Sequence, residues 1–363
     1  MKTDRELTPS RVTVARERRG YTKTALARLT GLSSKTITNI ELGNGCSDET
    51  LKALAHALQF PVGFFYREDL VEPLNPSFRS FSRVTAAQKK AAQSSGAIAF
   101  ELGDWLAENF NLPEPNIPDY SDMEPEAAAQ ALRLEWRLGF SPIKNMIHLL
   151  ESKGVKVFSL AEENAEVNAF CCWHKSTDPY VFLNSFKSSE SSRFDAAHEL
   201  AHLVLHRYSE NKGKEAEAQA DAFAGEFLMP RQGVLSRKRA YIQLRDILKE
   251  KKYWNVSAFA MTYTMSRNHM LTEWRYRALC IEMSKLGYRK TEPDSEPHER
   301  SQILQKVIDF YRPRGGLVPI LEKELNIHRE EINKLIFNIA PTMSITDSPK
   351  KSAAPKPKLA LVN

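Results

Sequence analysis

Cysteine is scarce: Cys46, Cys171, Cys172 and Cys280 are the only four in 363 residues. The adjacent pair lacks CxxC spacing, which excludes a zinc ribbon, a redox motif or a disulfide framework and leaves mostly structural, reduced thiols. There is no run of about 18 apolar residues, so a membrane-spanning helix is not expected, and no membrane partner with it. The opening MKTDRELTPS has charges where a secretory leader needs an apolar stretch, which points to a cytoplasmic protein. A strong excess of one charge is missing too: 51 Lys and Arg against 45 Asp and Glu leave +6, too little to name a nucleic-acid partner on its own.

The length is enough for two or three folded units, and 42% hydrophobic with 26% charged residues is the composition of a globular chain. Apolar periodicity and turn signals divide it into a compact helical bundle over 1–72, a helical linker over 73–122, and an α+β unit over 123–253. A helical region over 254–345 follows, then a Pro-, Lys- and Ala-rich tail over 346–363 expected to be disordered. The expected fold class is mainly α with a small β-sheet. Thr22, Ser33 and Asp48 are expected as helix N-caps in the first unit. GVKVFSL and DPYVFLN have the β-branched and aromatic content of strands, and SSRFDAAHELAHLVLHR reads as a helix capped by Ser192. A second helix runs from about Glu215 to Met229 and stops at Pro230.

His198 and His202 are four residues apart, one turn along one helix face, so both imidazoles can reach a single ion. Glu199, one step round, can take a proton from a water held at that ion, the chemistry of an HExxH helix. A catalytic zinc takes three protein ligands and keeps a position open for water. The following helix offers Glu217 as the third ligand, with Glu215 as its rival, and Asp221 as acceptor for a ligand histidine's other ring N–H. His206 lies two turns from His198, too far to share a tetrahedral ion with it, and is read as structural. Tyr180, Tyr263 and His269 are polar candidates for stabilising an oxyanion.

RFDAAHELAHLVLH, EAQADAFAGEFLMP, WNVSAFAMTYTMSR and GYRKTEP together resemble the ImmA/IrrE family of bacterial zinc metallopeptidases, over roughly 125–295. Ala201 stands where that family usually has Gly. The resemblance implies a zincin-like domain, one Zn²⁺, and cleavage of a specific protein, for several members a transcriptional repressor.

In the first unit, KTALARLTGLSSKTITNIELGNG places Ala27, Gly31 and Ile37 where a helix-turn-helix needs a small contact residue, a turn glycine and a core aliphatic. This stretch resembles the XRE or Cro/CI-type repressor domains. Ser34, Lys35, Thr38 and Asn39 would then face double-stranded DNA, bound through residues 1–70. Seven basic against two acidic residues between 9 and 45 suit a phosphate-facing surface. Two functions follow: a DNA-binding regulatory metalloendopeptidase, or a transcription regulator or antitoxin whose peptidase-like domain serves as sensor or dimer platform without proteolysis. A homodimer is compatible with both.

Overall fold

The computed structural model describes residues 6–70, 77–78 (backbone only), 85–160, 169–184, 186–208, 213–239, 241–336 and 339–340. The tail expected over 346–363 lies outside them. The protein is mainly helical with one small sheet, and no described helix is long and apolar enough to cross a membrane.

The first unit consists of α1 (Pro9–Arg18), α2 (Lys23–Thr30), α3 (Ser34–Glu41), α4 (Asp48–Leu58) and a 3-10 turn at Val62–Tyr66. The Thr22 hydroxyl accepts from the Ala25 N–H and that of Ser33 from Thr36, so both expected caps are present. The third cap is Ser47, not Asp48: its hydroxyl accepts from the Thr50 N–H at 3.2 Å. Asp48 instead opens the helix, where a negative charge complements the helix dipole. Leu26, Ile37, Ile40, Leu54 and Phe64 close the core of this unit.

A two-residue strand, β1 (Ser77–Phe78), precedes α5 (Ala86–Asn109), the 24-residue helix inside the stretch expected as a linker. A Thr85/Gln88 capping box starts α5, which buries a long apolar face and packs along α1. Gly103 lets α5 approach the sheet closely: a Cβ there would lie 2.1 Å from the Tyr180 hydroxyl. After α6 (Pro125–Glu135) and α7 (Met146–Ser152) come β2 (Lys156–Ser159), β3 (Phe170–His174) and β4 (Asp178–Leu183). The sheet order is β1-β3-β4-β2, with β2 parallel to β4 and β3 antiparallel to both its neighbours. Strand β3 goes beyond the two strands expected from sequence. Its residues FCCWH are nearly all buried, so they show no alternation to announce a strand.

Helices α8 (Ser189–Leu205) and α9 (Lys214–Leu228) pack against each other, and α8 also lies on β3 and β4. The cap of α8 is Ser188, whose hydroxyl accepts from the Ser191 N–H, and not Ser192, which sits inside the helix. Several serines in a row offer rival caps, and the earlier one gives the longer helix. The chain continues through α10 (Arg231–Leu235), α11 (Leu244–Trp254), α12 (Ala258–Arg267) and α13 (Glu273–Lys285) to α14 (Gln302–Tyr311), α15 (Leu317–Leu325) and α16 (Arg329–Ile336).

Two carboxylates, the buried Glu151 and the half-buried Glu299, tie this last part to the sheet-bearing body. Glu299 accepts from the Met146 and Ile147 N–H groups at the start of α7, and Arg193 of α8 pairs with it. Reciprocally, Glu151 of α7 accepts from the Gln302 and Ile303 N–H groups at the start of α14 and from the Ser301 hydroxyl. Burial pushes the Glu151 carboxyl up to about 7, although these hydrogen bonds and Lys306 act the other way. Between pH 4.5 and 7 the folded protein therefore holds a proton that the unfolded chain releases, so stability falls as pH rises through that window. The shift corresponds to about 3 kcal/mol. Urea midpoints at pH 5 and pH 8 check this: Glu151→Gln is expected to remove that part of the pH dependence, and an unchanged dependence contradicts it.

Candidate metal centre and DNA-reading face

Small residues bring the metal-binding helices together. Ala197 and Ala201 on α8, and Ala216, Ala220 and Ala224 at four-residue spacing on α9, are all buried. Their short side chains permit a close α8–α9 approach, so that polar groups on the two helices meet. Ala201 is fully buried, and the site is assembled with it in place.

Three groups converge. His198 Nε2 lies 3.1 Å from His202 Nε2, and each ring nitrogen lies 3.4 Å from a different oxygen of Glu217. A tetrahedral zinc with bonds of about 2.0–2.1 Å holds its ligand atoms about 3.3–3.4 Å apart. Two imidazoles and a carboxylate at that separation fit such a metal in both spacing and donor chemistry. Among the described residues, no fourth His, Cys, Asp or Glu joins the group. Glu215, the rival ligand, is exposed and outside it.

The imidazoles are buried, whereas the Glu217 side chain is 26% exposed, so solvent reaches the trio from the α9 side. Burial disfavours charge on Glu217, but hydrogen bonds and charge from His198 and His202 outweigh it and bring its carboxyl down to about 2. Glu199, next to His198, is fully buried.

The outer ring nitrogens are held as well. His198 Nδ1 lies 2.9 Å from Asp221 Oδ1, the contact expected from the sequence. His202 Nδ1 lies 2.9 Å from His206 Nδ1, and His206 Nε2 lies 2.8 Å from Gln219 Oε1. Only one proton arrangement leaves the His202 Nε2 lone pair directed at the trio: His202 Nδ1–H donates to His206, and His206 Nε2–H donates to Gln219. That arrangement requires a neutral His206, and burial holds its pKa below the ordinary imidazole value, aided by His202. His206 is thus structural but not inert. Its place at i+4 from His202 was visible in the sequence, whereas Gln219 as its partner depended on how α9 packs.

Tyr180 is buried between β4 and α5, and Tyr263 and His269 are exposed at and after α12.

Residues 150–266 match the model of the Peptidase_M78 family, IrrE N-terminal-like domain, and residues 14–65 match a helix-turn-helix model. The chain joins a helix-turn-helix domain to an IrrE N-terminal-like peptidase domain. No curated protein matches it. The trio, His206, Gln219 and Asp221 all fall inside the IrrE-like domain.

In the helix-turn-helix domain, Ser34, Lys35 and Asn39 are exposed on α3 and Thr38 is half-buried. The Thr38 hydroxyl donates to the Ser34 carbonyl and the Ser34 hydroxyl to Thr24, which leaves Lys35 and Asn39 as the long side chains projecting from the helix. The basic surface expected over 9–45 is largely absent. Arg11 pairs with Glu101, Arg16 with Glu41, and Arg18 and Arg19 with Glu331, and the first three are at most 7% exposed. Arg11, Arg18 and Arg19 turn toward Glu101 of α5 and Glu331 of α16, whereas Arg16 is held inside the domain by Glu41 of α3. Of the seven basic residues, Arg28 and Lys35 are exposed, and Lys23 is partly exposed beside Glu41.

Proposed function

We propose that the protein is a DNA-binding regulatory zinc metallopeptidase that cleaves a specific protein, a transcriptional repressor being the expected class. The observation that carries this reading is the trio of His198, His202 and Glu217 at tetrahedral ligand spacing, with the buried Glu199 next to His198 in the sequence of α8. A DNA-binding unit over 1–72 and a metal-binding unit over 123–253 belong to the same reading.

The bound zinc would supply Lewis acidity, activating water and polarising the scissile carbonyl. His198 and His202 would hold it through Nε2, and Glu217 would add a carboxylate oxygen and a negative charge. Asp221 fixes the tautomer of His198, and His206 with Gln219 fixes that of His202. Glu199 takes the proton from the attacking water and passes it to the leaving amine. Three protein ligands, rather than four, suit a reactive centre.

The experiment that tests this compares protein N-termini in cells producing the native chain and in cells producing Glu199→Gln. New N-termini present only with the native chain support proteolysis. Identical N-termini, with DNA binding intact, favour a regulator that uses its peptidase-like domain as a sensor.

Gln219→Leu is expected to weaken zinc binding by about 10–100-fold, because His206 loses the acceptor that orients it. Competition with a chromophoric chelator measures this, and unchanged affinity contradicts the role.

DNA binding is assigned to α3. With two or three exposed basic residues instead of seven, log K against log salt should have a slope of about −2 to −3, where seven phosphate contacts would give about −6. Lys35→Ala should flatten it by about one. A slope near −6 contradicts the burial of the α1 arginines.

A further inference from the structure

The turn between α15 and α16 repeats the one between α2 and α3. Helix α2 ends at Thr30, Gly31 takes a left-handed conformation (φ 70°, ψ 14°), Leu32 and Ser33 follow, and α3 begins at Ser34. Helix α15 ends at Leu325, Asn326 takes the same conformation (φ 52°, ψ 45°), Ile327 and His328 follow, and α16 begins at Arg329. Asn is the residue other than Gly that tolerates this region best.

The cores correspond at the same offset. Five residues before the left-handed position stand Leu26 and Leu321, six after it Ile37 and Ile332, and nine after it Ile40 and Leu335, all at most 3% exposed. A helix precedes each pair, α1 in one case and α14 in the other.

The would-be reading helices differ in charge. Where α3 has Lys35 and Thr36, α16 has Glu330 and Glu331. Two carboxylates in the first turn repel phosphate, and Arg329, in place of Ser34, is held by Glu322. Glu331 is 2% exposed and accepts from Arg18 Nε at 2.8 Å and from Arg19, at the end of α1.

We propose that α14–α16 is a second helix-turn-helix unit that binds protein instead of nucleic acid. Its partner is the first unit of the same chain. Because Glu151 and Glu299 fasten α14 to the IrrE-like domain, this second unit holds the DNA-reading helix in one orientation relative to the metal centre. The inference does not depend on whether that centre hydrolyses a bond.

Hydrogen exchange on the full chain tests it. Glu331→Arg should raise amide exchange about tenfold or more in 9–19 and 329–336, with α8 and α9 unchanged. Adding Arg18→Glu and Arg19→Glu should restore part of the protection. If Glu331→Arg loosens α8 as well, Glu331→Gln decides: a rise confined to the two segments supports the docking, and no rise overturns it. Protection that depends on protein concentration would place the partner in a second copy and overturn the intramolecular assignment. A DNA-binding assay completes the test. Glu330→Ala should leave affinity within about twofold while Lys35→Ala lowers it about tenfold, and a change of about tenfold in either direction on Glu330→Ala would place α16 at the DNA and overturn the proposal.

Discussion

Glu199→Gln is expected to lower cleavage of the target protein by about 10³-fold, the scale on which a positioned general base contributes. The amide has the shape of the carboxylate but cannot take a proton, and the residue is fully buried beside His198. Zinc content should therefore remain at the native level while turnover is lost. The rate is measured on the protein whose new N-terminus depends on the native chain. Turnover above a tenth of the native rate, with zinc bound, would remove Glu199 from the mechanism.

His202→Ala should cost the protein its metal. Structural zinc sites bind with about 10–16 kcal/mol spread over four ligands, so one ligand is worth about 2.5–4 kcal/mol, or about a hundredfold to a thousandfold in affinity. Glu217→Ala should act similarly, since its two oxygens lie 3.4 Å from the two imidazoles. Glu215→Ala should have no effect. Metal titration of the three variants separates them, and a Glu215→Ala protein that loses zinc would reassign the third ligand.

The parts legible in the sequence were those whose physics is local. His198 and His202 share a face because of helical periodicity, and Thr22 and Ser33 cap because a hydroxyl reaches the backbone N–H three residues on. Glu217 and Asp221 could be named because the alanines around them foretold close helix packing. What escaped depended on distant partners. Arg18 and Arg19 read as a DNA surface until Glu331, more than 300 residues later, takes both. Strand β3 escaped because it is buried on both faces. The repeat of the α2–α3 turn in α15–α16 was present in the spacing of Leu321, Asn326, Ile332 and Leu335, but opposite charge at the reading positions concealed it.

The central claim is a zinc centre made of two imidazoles and one carboxylate with room for one more ligand. X-ray absorption at the zinc edge of the full chain, reconstituted with one equivalent of Zn²⁺, tests it most directly. The predicted spectrum has four nitrogen or oxygen neighbours at about 2.0–2.1 Å, the multiple scattering of two imidazoles, and no sulfur. Sulfur neighbours at about 2.3 Å, or no stoichiometric binding, would contradict it.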